Sequence, residues 1–160
     1  MKYIRLIFIL LLFFSCEKDD FCLQNPVTPN LVIRFYDNVD RQSVKTVQRL
    51  WVWAANKDTL DTYKGVNTDS IVIPLNTLSQ ETIYNLKMNN INGAADNDQL
   101  ATITINYTPV EQYVSRSCGF RVVFNNVTFS PTTNTWITDF SPASLTIIDN
   151  QNAAHLQIFH

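Results

Sequence analysis

The chain has 160 residues, of which 46% are hydrophobic, and its 12 basic and 14 acidic residues give a formal net charge of −2 at pH 7. A protein that binds nucleic acid needs a basic face, so this charge balance predicts no nucleic-acid partner. Only three glycines are present, at positions 65, 93 and 119, which argues against the glycine-rich loops that cradle phosphates.

The first fifteen residues are typical of a bacterial signal peptide. Lys2 and Arg5 precede an unbroken apolar run at residues 6–14, and this run is far shorter than the roughly 20 residues that a membrane-spanning helix needs. It leads into Phe13-Phe14-Ser15-Cys16, which resembles a lipobox, although Phe13 stands where that motif usually has leucine. The resemblance implies that diacylglycerol is attached to the Cys16 thiol, that the chain is cleaved before Cys16, and that the new amine is acylated, for example with palmitate.

Charged residues follow the predicted lipid-bearing cysteine. The run Glu17-Lys18-Asp19-Asp20 resembles the surface-export signal of Bacteroidetes lipoproteins. The resemblance implies an outer-membrane lipoprotein whose body is exposed at the cell surface, and a periplasm-facing body on a solvated tether is the alternative. We therefore divide the chain into a signal peptide (1–15), a lipidated cysteine with its tether (16–30), and one domain (31–160), a length that suits a single core.

Two further cysteines remain for the domain, Cys22 and Cys118. An even number of cysteines in an exported protein favours a disulfide, and we predict that these two are paired. Closing so long a loop stabilises the fold by roughly 4–5 kcal/mol in the chain-entropy picture. Two buried thiols are the alternative.

Short runs that alternate apolar and polar residues recur from residue 31 onwards, and this period of two is typical of β-strands. The runs lie at residues 31–36, 50–54, 71–75, 84–88, 101–107 and 120–124, with a weaker one at 136–140. Pro74 places the third run at a sheet edge or bulge. Residues 40–49 are predicted to form a loop or a single turn. Residues 145–147 and 156–158 are predicted to pair as a terminal hairpin across a turn at 149–152.

This pattern predicts an all-β domain. We expect an antiparallel β-sandwich of about eight or nine short strands, immunoglobulin-like or transthyretin-like in architecture. A closed barrel is the alternative.

Three segments carry a family resemblance. They are Cys-Glu-Lys-Asp-Asp-Phe-Cys at 16–22, Leu-Val-Ile-Arg-Phe-Tyr-Asp at 31–37, and Tyr-Val-Ser-Arg-Ser-Cys-Gly-Phe at 113–120. Together they resemble a group of small uncharacterised lipoproteins of flavobacteria, a domain-of-unknown-function family. The resemblance spans the mature chain and implies its location and size, but it brings no activity with it.

The sequence offers few groups for catalysis. The only histidines, His155 and His160, lie in the last six residues, where we expect both to be exposed, and no Gly-x-Ser-x-Gly motif is present. Asp96-Asn97-Asp98 makes an oxygen-rich loop, but its spacing does not match an EF-hand, so a polar hairpin loop is the simpler interpretation. We predict no catalytic residue, no metal site and no cofactor. An accessory envelope hydrolase that uses Glu81, Glu111 or this loop is the alternative.

Trp51 and Trp53 are the strongest candidates for a binding site, because they are two residues apart and share one face of a predicted strand. An exposed pair would stack on sugar rings or bind an apolar partner. The other interpretation places both side chains in the core, with Val52 on a second packed face.

Two acceptor sites for modification complete the sequence predictions. Asp58-Thr59-Leu60 and Asp69-Ser70-Ile71 resemble the O-glycosylation pattern of Bacteroidetes, which implies glycans on Thr59 and Ser70 in a polar, loop-like segment. The sequence as a whole predicts a non-catalytic binding or structural module, anchored to the membrane through its lipid, with an envelope protein or glycan as its partner.

Overall fold

Ten β-strands form in the computed structural model, which describes residues 22, 27–89 and 98–160 and, at 132–134, the backbone alone. The strands are β1 (Leu31–Tyr36), β2 (Val47–Ala54), β3 (Thr59–Thr68), β4 (Ser70–Ile73), β5 (Glu81–Met88), β6 (Gln99–Ser115), β7 (Gly119–Asn134), β8 (Asp139–Ser141), β9 (Ser144–Ile148) and β10 (Leu156–Phe159). There is no helix in the ranges that the structure describes, so none there is long and apolar enough to span a membrane.

The strands form two separate sheets. A four-stranded sheet has the order β4-β1-β10-β8, and a six-stranded sheet has the order β3-β2-β5-β6-β7-β9. Neighbouring strands are antiparallel except β1 and β10, which run parallel. The predicted β-sandwich is confirmed. The strands form two distinct sheets, whereas a closed barrel would need one continuous ring of strands.

One hydrophobic core lies between the sheets, and it follows from the alternation along the strands. In β1, the side chains of Leu31, Ile33 and Phe35 are fully buried, whereas those between them reach the surface or its edge. In β6, the same period buries the side chains at positions 101, 103, 105 and 107. Because successive side chains of a strand point to opposite sides, each strand gives one face to the core.

The predicted terminal hairpin is wrong. Strand β9 pairs with β7 in the six-stranded sheet, and β10 lies between β1 and β8 in the other sheet. Leu156 and Ile158 are fully buried there, opposite Ile33 and Phe35 of β1. The last strand is therefore held on one side by β1, more than 100 positions away, and on the other by β8, rather than by its neighbour β9.

Two other predictions on local structure are resolved. Pro74 directly follows β4, and β4 is an edge strand, as predicted. Residues 40–49 form a turn at Asp40–Ser43 and then enter β2 at Val47, so this segment joins a loop to a strand.

A disulfide joins Cys22 to Cys118, as the sequence predicted, with their Cα atoms 4.9 Å apart. It links the segment before β1 to the turn between β6 and β7. A second tie lies close by, because the Val122 backbone N–H donates to Thr28 Oγ1 over 3.1 Å. The N-terminal segment is thus attached to the end of the β6–β7 hairpin by a covalent bond and by a hydrogen bond.

Candidate binding face of the six-stranded sheet

Trp51 and Trp53 lie on the outer side of β2. Val52, between them, is fully buried on the opposite side, while Trp51 is 36% exposed and Trp53 is partly buried. The interpretation that both tryptophans belong to the core is therefore wrong, and the outward-facing interpretation is correct. The neighbouring strands place Lys87 opposite Trp51, Asn85 opposite Trp53, and Thr102 opposite Asn85. We call Trp51, Trp53, Asn85, Lys87 and Thr102 the aromatic face.

A lysine is held beside the Trp51 ring. Lys87 Nζ lies 5.2 Å from the ring centroid, within the range of a cation–π contact. The same ammonium group lies 2.8 Å from Asp98 Oδ2. Its hydrogen bond, together with one from Asn89, holds the pKa of the Asp98 carboxyl below its ordinary value. The ion pair fixes the position of Lys87, so that an aromatic surface and a positive charge stand side by side.

Gly65 of β3 sets the orientation of the Trp51 ring. A Cβ atom at this position would lie 3.2 Å from Trp51 Nε1, and Gly65 has a φ of 71°, which side-chain-bearing residues rarely adopt. The indole therefore covers a stretch of bare backbone, and Trp51 remains 36% exposed to solvent. An aromatic ring that is already oriented loses little conformational entropy when a ligand stacks on it.

Polar groups extend the aromatic face along the register of Trp53. Thr102 Oγ1 donates to Asn85 Oδ1 over 2.8 Å, which orients the amide beside the indole of the paired strand. The arrangement combines flat aromatic area with amide, hydroxyl and ammonium groups. This is a suitable surface for a ligand that has both apolar faces and hydroxyl groups.

Comparison with known protein families identifies the family to which the chain belongs. Residues 49–160 match the profile of DUF6452, a family of unknown function, over more than half of the chain. The chain belongs to the DUF6452 family. No curated protein and no solved structure matches it.

The DUF6452 match includes the aromatic face and most of the sandwich. It begins inside β2, two residues before Trp51, and continues through β10, so it contains Cys118. Strand β1 and Cys22 precede the matched range.

The remaining predicted site residues are distributed over the molecule. Cys16 lies outside the described residues. Thr59 is the first residue of β3, in register with Trp53, and Ser70 is the first residue of β4. The Ser70 carbonyl accepts a hydrogen bond from Thr68 Oγ1 over 2.7 Å. The segment between these two sites is strand β3, so the prediction of a loop is wrong there, and glycosylation of Thr59 and Ser70 stays a prediction.

The carboxylates proposed for a hydrolase do not meet. Glu81 pairs with Asn106 and Glu111 pairs with Val122, so the two positions are separated by five residues of β6, roughly 15 Å. Glycosidase carboxylates stand at most about 9.5 Å apart. An open groove that contains Glu81 has no second carboxylate among its lining residues.

Metal binding has no support in the described part of the chain. Residues 22, 27–89 and 98–160 contain no cluster of three or more His, Cys, Asp or Glu side chains that would hold a metal ion. The predicted oxygen-rich loop lies outside the described residues except for Asp98, whose carboxylate is already paired with Lys87.

Both histidines are half-buried, so the expectation that they are exposed is wrong. His155 Nδ1 accepts the Val32 backbone N–H over 2.9 Å, and its Nε2 lies 2.8 Å from the Asn150 carbonyl oxygen. The His160 ring packs edge-on against Phe35 and Trp136. Burial lowers the pKa of both histidines, and Lys45 lowers the pKa of His160 further. Both side chains support the four-stranded sheet in their neutral form.

We expect stability to fall as the pH falls from 7.5 to 5. A histidine whose pKa is lower in the native state binds more protons when unfolded, so the free energy of unfolding decreases below the unfolded pKa of about 6.5. For each histidine, the free energy of unfolding cannot change by more than about 1.4 kcal/mol per pH unit. Melting temperatures measured across this range test the prediction. His155→Asn provides the control, because its Oδ1 can accept the Val32 N–H without titrating, and its pH dependence should be weaker. Melting temperatures that do not change with pH would contradict the assignment.

Proposed function

We propose that this DUF6452 chain is a lipid-anchored outer-membrane protein whose sandwich binds an envelope glycan on its aromatic face. The lipobox-like sequence before Cys16 and the run Glu17-Lys18-Asp19-Asp20 support the anchor and surface display. The single observation that carries the binding role is that Trp51 and Trp53 face outwards from β2, on the side opposite the core.

A glycan suits the aromatic face better than a protein does. Sugar rings have apolar faces that stack on flat aromatic side chains and hydroxyl groups that need hydrogen-bond partners. The Trp51 ring supplies the flat area, and the Asn85 amide, the Thr102 hydroxyl and the Lys87 ammonium lie in the same or the adjacent register position. A protein interface would more often place its aromatic residues at the centre of a larger apolar patch.

A binding experiment with outer-membrane polysaccharide fragments tests this proposal. We expect Trp51→Ala/Trp53→Ala to weaken binding at least roughly 30-fold, because central tryptophans in binding surfaces contribute about 2 kcal/mol or more. Titration calorimetry with the purified protein measures the affinity, and circular dichroism confirms that the variant is folded.

A matched control removes exposed apolar surface elsewhere. Val39 is 93% exposed in the loop between β1 and β2, so Val39→Ala should bind as the unaltered protein does. Equal affinity in all three proteins would exclude the aromatic face as the binding site. A pull-down from outer membranes that recovers a protein, and loses it with Trp51→Ala/Trp53→Ala, would assign a protein partner instead of a glycan.

A further inference from the structure

The β6–β7 hairpin extends beyond the rest of the six-stranded sheet. Strand β5 pairs with β6 only as far as Asn106, and β9 pairs with β7 only from Phe124 onwards. Between these limits and the turn at 116–118, the two strands pair only with each other within the described structure. We call residues 110–123 the arm. An isolated two-stranded ribbon is marginally stable, so its ties to the N-terminal segment stabilise it.

The end of the arm exposes two aromatic rings. Tyr113 and Phe120 are directly opposite each other in the register, and their ring centroids are 5.4 Å apart in an edge-to-face arrangement. Tyr113 is 56% exposed and Phe120 is 63% exposed, which makes them the most exposed aromatic side chains among the described residues. A paired aromatic cluster in solvent on a protruding arm marks a contact surface.

The half of the arm nearest its turn is basic, whereas Glu111 lies at the base of the arm. From residue 112 to residue 123 the charged side chains are Arg116, in the turn, and Arg121, and there is no acidic residue. The chain as a whole is acidic, so this end is positive against the general background. Aromatic rings flanked by arginine suit a membrane surface, where rings lie at headgroup level and cations meet anionic lipids.

The disulfide determines which end of the sandwich faces the membrane. Cys22 is bonded to Cys118 at the turn of the arm, and Cys22 lies six positions after Cys16 along the chain. Fully extended, six residues reach at most about 22 Å. A lipid on Cys16 would therefore keep the turn of the arm within roughly 25 Å of the bilayer surface. Leu100, at the other end of β6, lies 15 residues from Ser115, roughly 50 Å along the strand.

We propose that the arm docks on the membrane that holds the lipid, with Tyr113 and Phe120 in the headgroup region and Arg116 against anionic lipids. This inference rests on the proposed lipid at Cys16. Docking would turn attachment through the lipid alone into an oriented attachment. The aromatic face, whose Trp51 lies in register with Lys87 and Leu100 at the far end of the sheet, would then be held away from the bilayer and towards its ligand.

Quenching of tryptophan fluorescence by brominated lipids tests the docking. The full-length lipidated protein is reconstituted into vesicles of phosphatidylethanolamine and phosphatidylglycerol, and two reporter variants are compared with the unaltered protein. Phe120→Trp places an indole at the end of the arm. Val39→Trp places one in the exposed loop after β1, whereas the segment that carries Cys22 precedes β1. We expect the fluorescence added by Phe120→Trp to be quenched at least threefold more strongly than that added by Val39→Trp.

The two proposals fail in different ways. Flotation of the vesicles on a density gradient reports the anchor, and quenching reports the docking. Protein that floats with the vesicles but shows equal quenching in both reporter variants overturns the docking and leaves the anchor intact. Protein that remains at the bottom of the gradient overturns the anchor, and the docking with it.

Discussion

Cys16→Ser is expected to abolish lipid attachment to the chain and to block its maturation. The proposed lipid would be attached through the Cys16 sulfur, and cleavage of the proposed signal peptide would depend on that attachment. Each buried methylene contributes about 0.8 kcal/mol to membrane binding, so the loss of two or more acyl chains turns a stable anchor into none. Mass spectrometry of the mature protein should show acyl chains on the unaltered chain only, and membrane fractionation should find the variant outside the membrane pellet or retained as a precursor.

Cys22→Ser/Cys118→Ser is the matched control for this experiment. It removes the two cysteines that form the disulfide and leaves Cys16 in place, so lipid attachment should be unchanged. The control also separates attachment from docking, because it releases the arm from the tether. Lipid that persists in Cys16→Ser, or an unmodified Cys16 with residues 1–15 still attached in the native host, would refute the anchor.

The alternation of apolar and polar residues predicted the strands that bury only one face. In β1 and β6, apolar residues occupy every second position and the residues between them are mostly polar, so the sequence pattern and the burial pattern coincide. Strand β3 was missed for the opposite reason. It is an edge strand of its sheet, and its side chains are exposed or only partly buried, so its apolar residues Leu60, Tyr63 and Val66 recur every third position and show no period of two. Its pairing with β2 stabilises it, and that pairing leaves no periodic signal in β3 itself.

Pairing between strands that are far apart in the sequence explains why the predicted terminal hairpin is wrong. Two apolar runs separated by a polar turn favour a hairpin, because nearby strands pair at a small cost in chain entropy. Here Leu156 and Ile158 complete a core that β1 begins, and a parallel partner leaves no turn sequence by which it could be recognised. The burial of the histidines has the same origin, since His155 and His160 flank β10 and take their contacts from β1 and from residues around it.

The sequence predicted that Trp51 and Trp53 share a candidate site, but not which way they face or that Asn85, Lys87 and Thr102 lie beside them. Trp51 and Trp53 share one side of β2 by the period of two, yet Leu50 and Val52 on the other side are also apolar, so either side could have formed the core. Packing decides the question, because Val52 lies opposite the buried Leu86 of β5. Gly65 was not foreseen, because its role depends on a contact with Trp51 across a strand pair.

Phe35→Ala is expected to lower the free energy of unfolding by about 3–5 kcal/mol, the cost of removing a buried phenylalanine. Phe35 is fully buried on β1, the strand between β4 and β10. Its ring lies 6.1 Å from that of Trp136, centroid to centroid. Trp136 Nε1 in turn donates to the Leu86 carbonyl of β5 over 3.2 Å. The cavity would therefore open where the two sheets meet, and the melting temperature should fall by roughly 10 °C or more.

Phe120→Ala removes the same side chain from an exposed position and serves as the control for Phe35→Ala. Phe120 lies at the end of the arm, so in solution its loss should change stability by about 0.5 kcal/mol or less. Urea unfolding of both variants in a lipid-free Cys16→Ser background, followed by far-ultraviolet circular dichroism, gives the two free energies. Equal midpoints would mean that Phe35 does not lie in the core and that the two sheets do not pack through it. A large loss for Phe35→Ala alone would separate the residues that hold the sandwich together from those that are exposed on the arm.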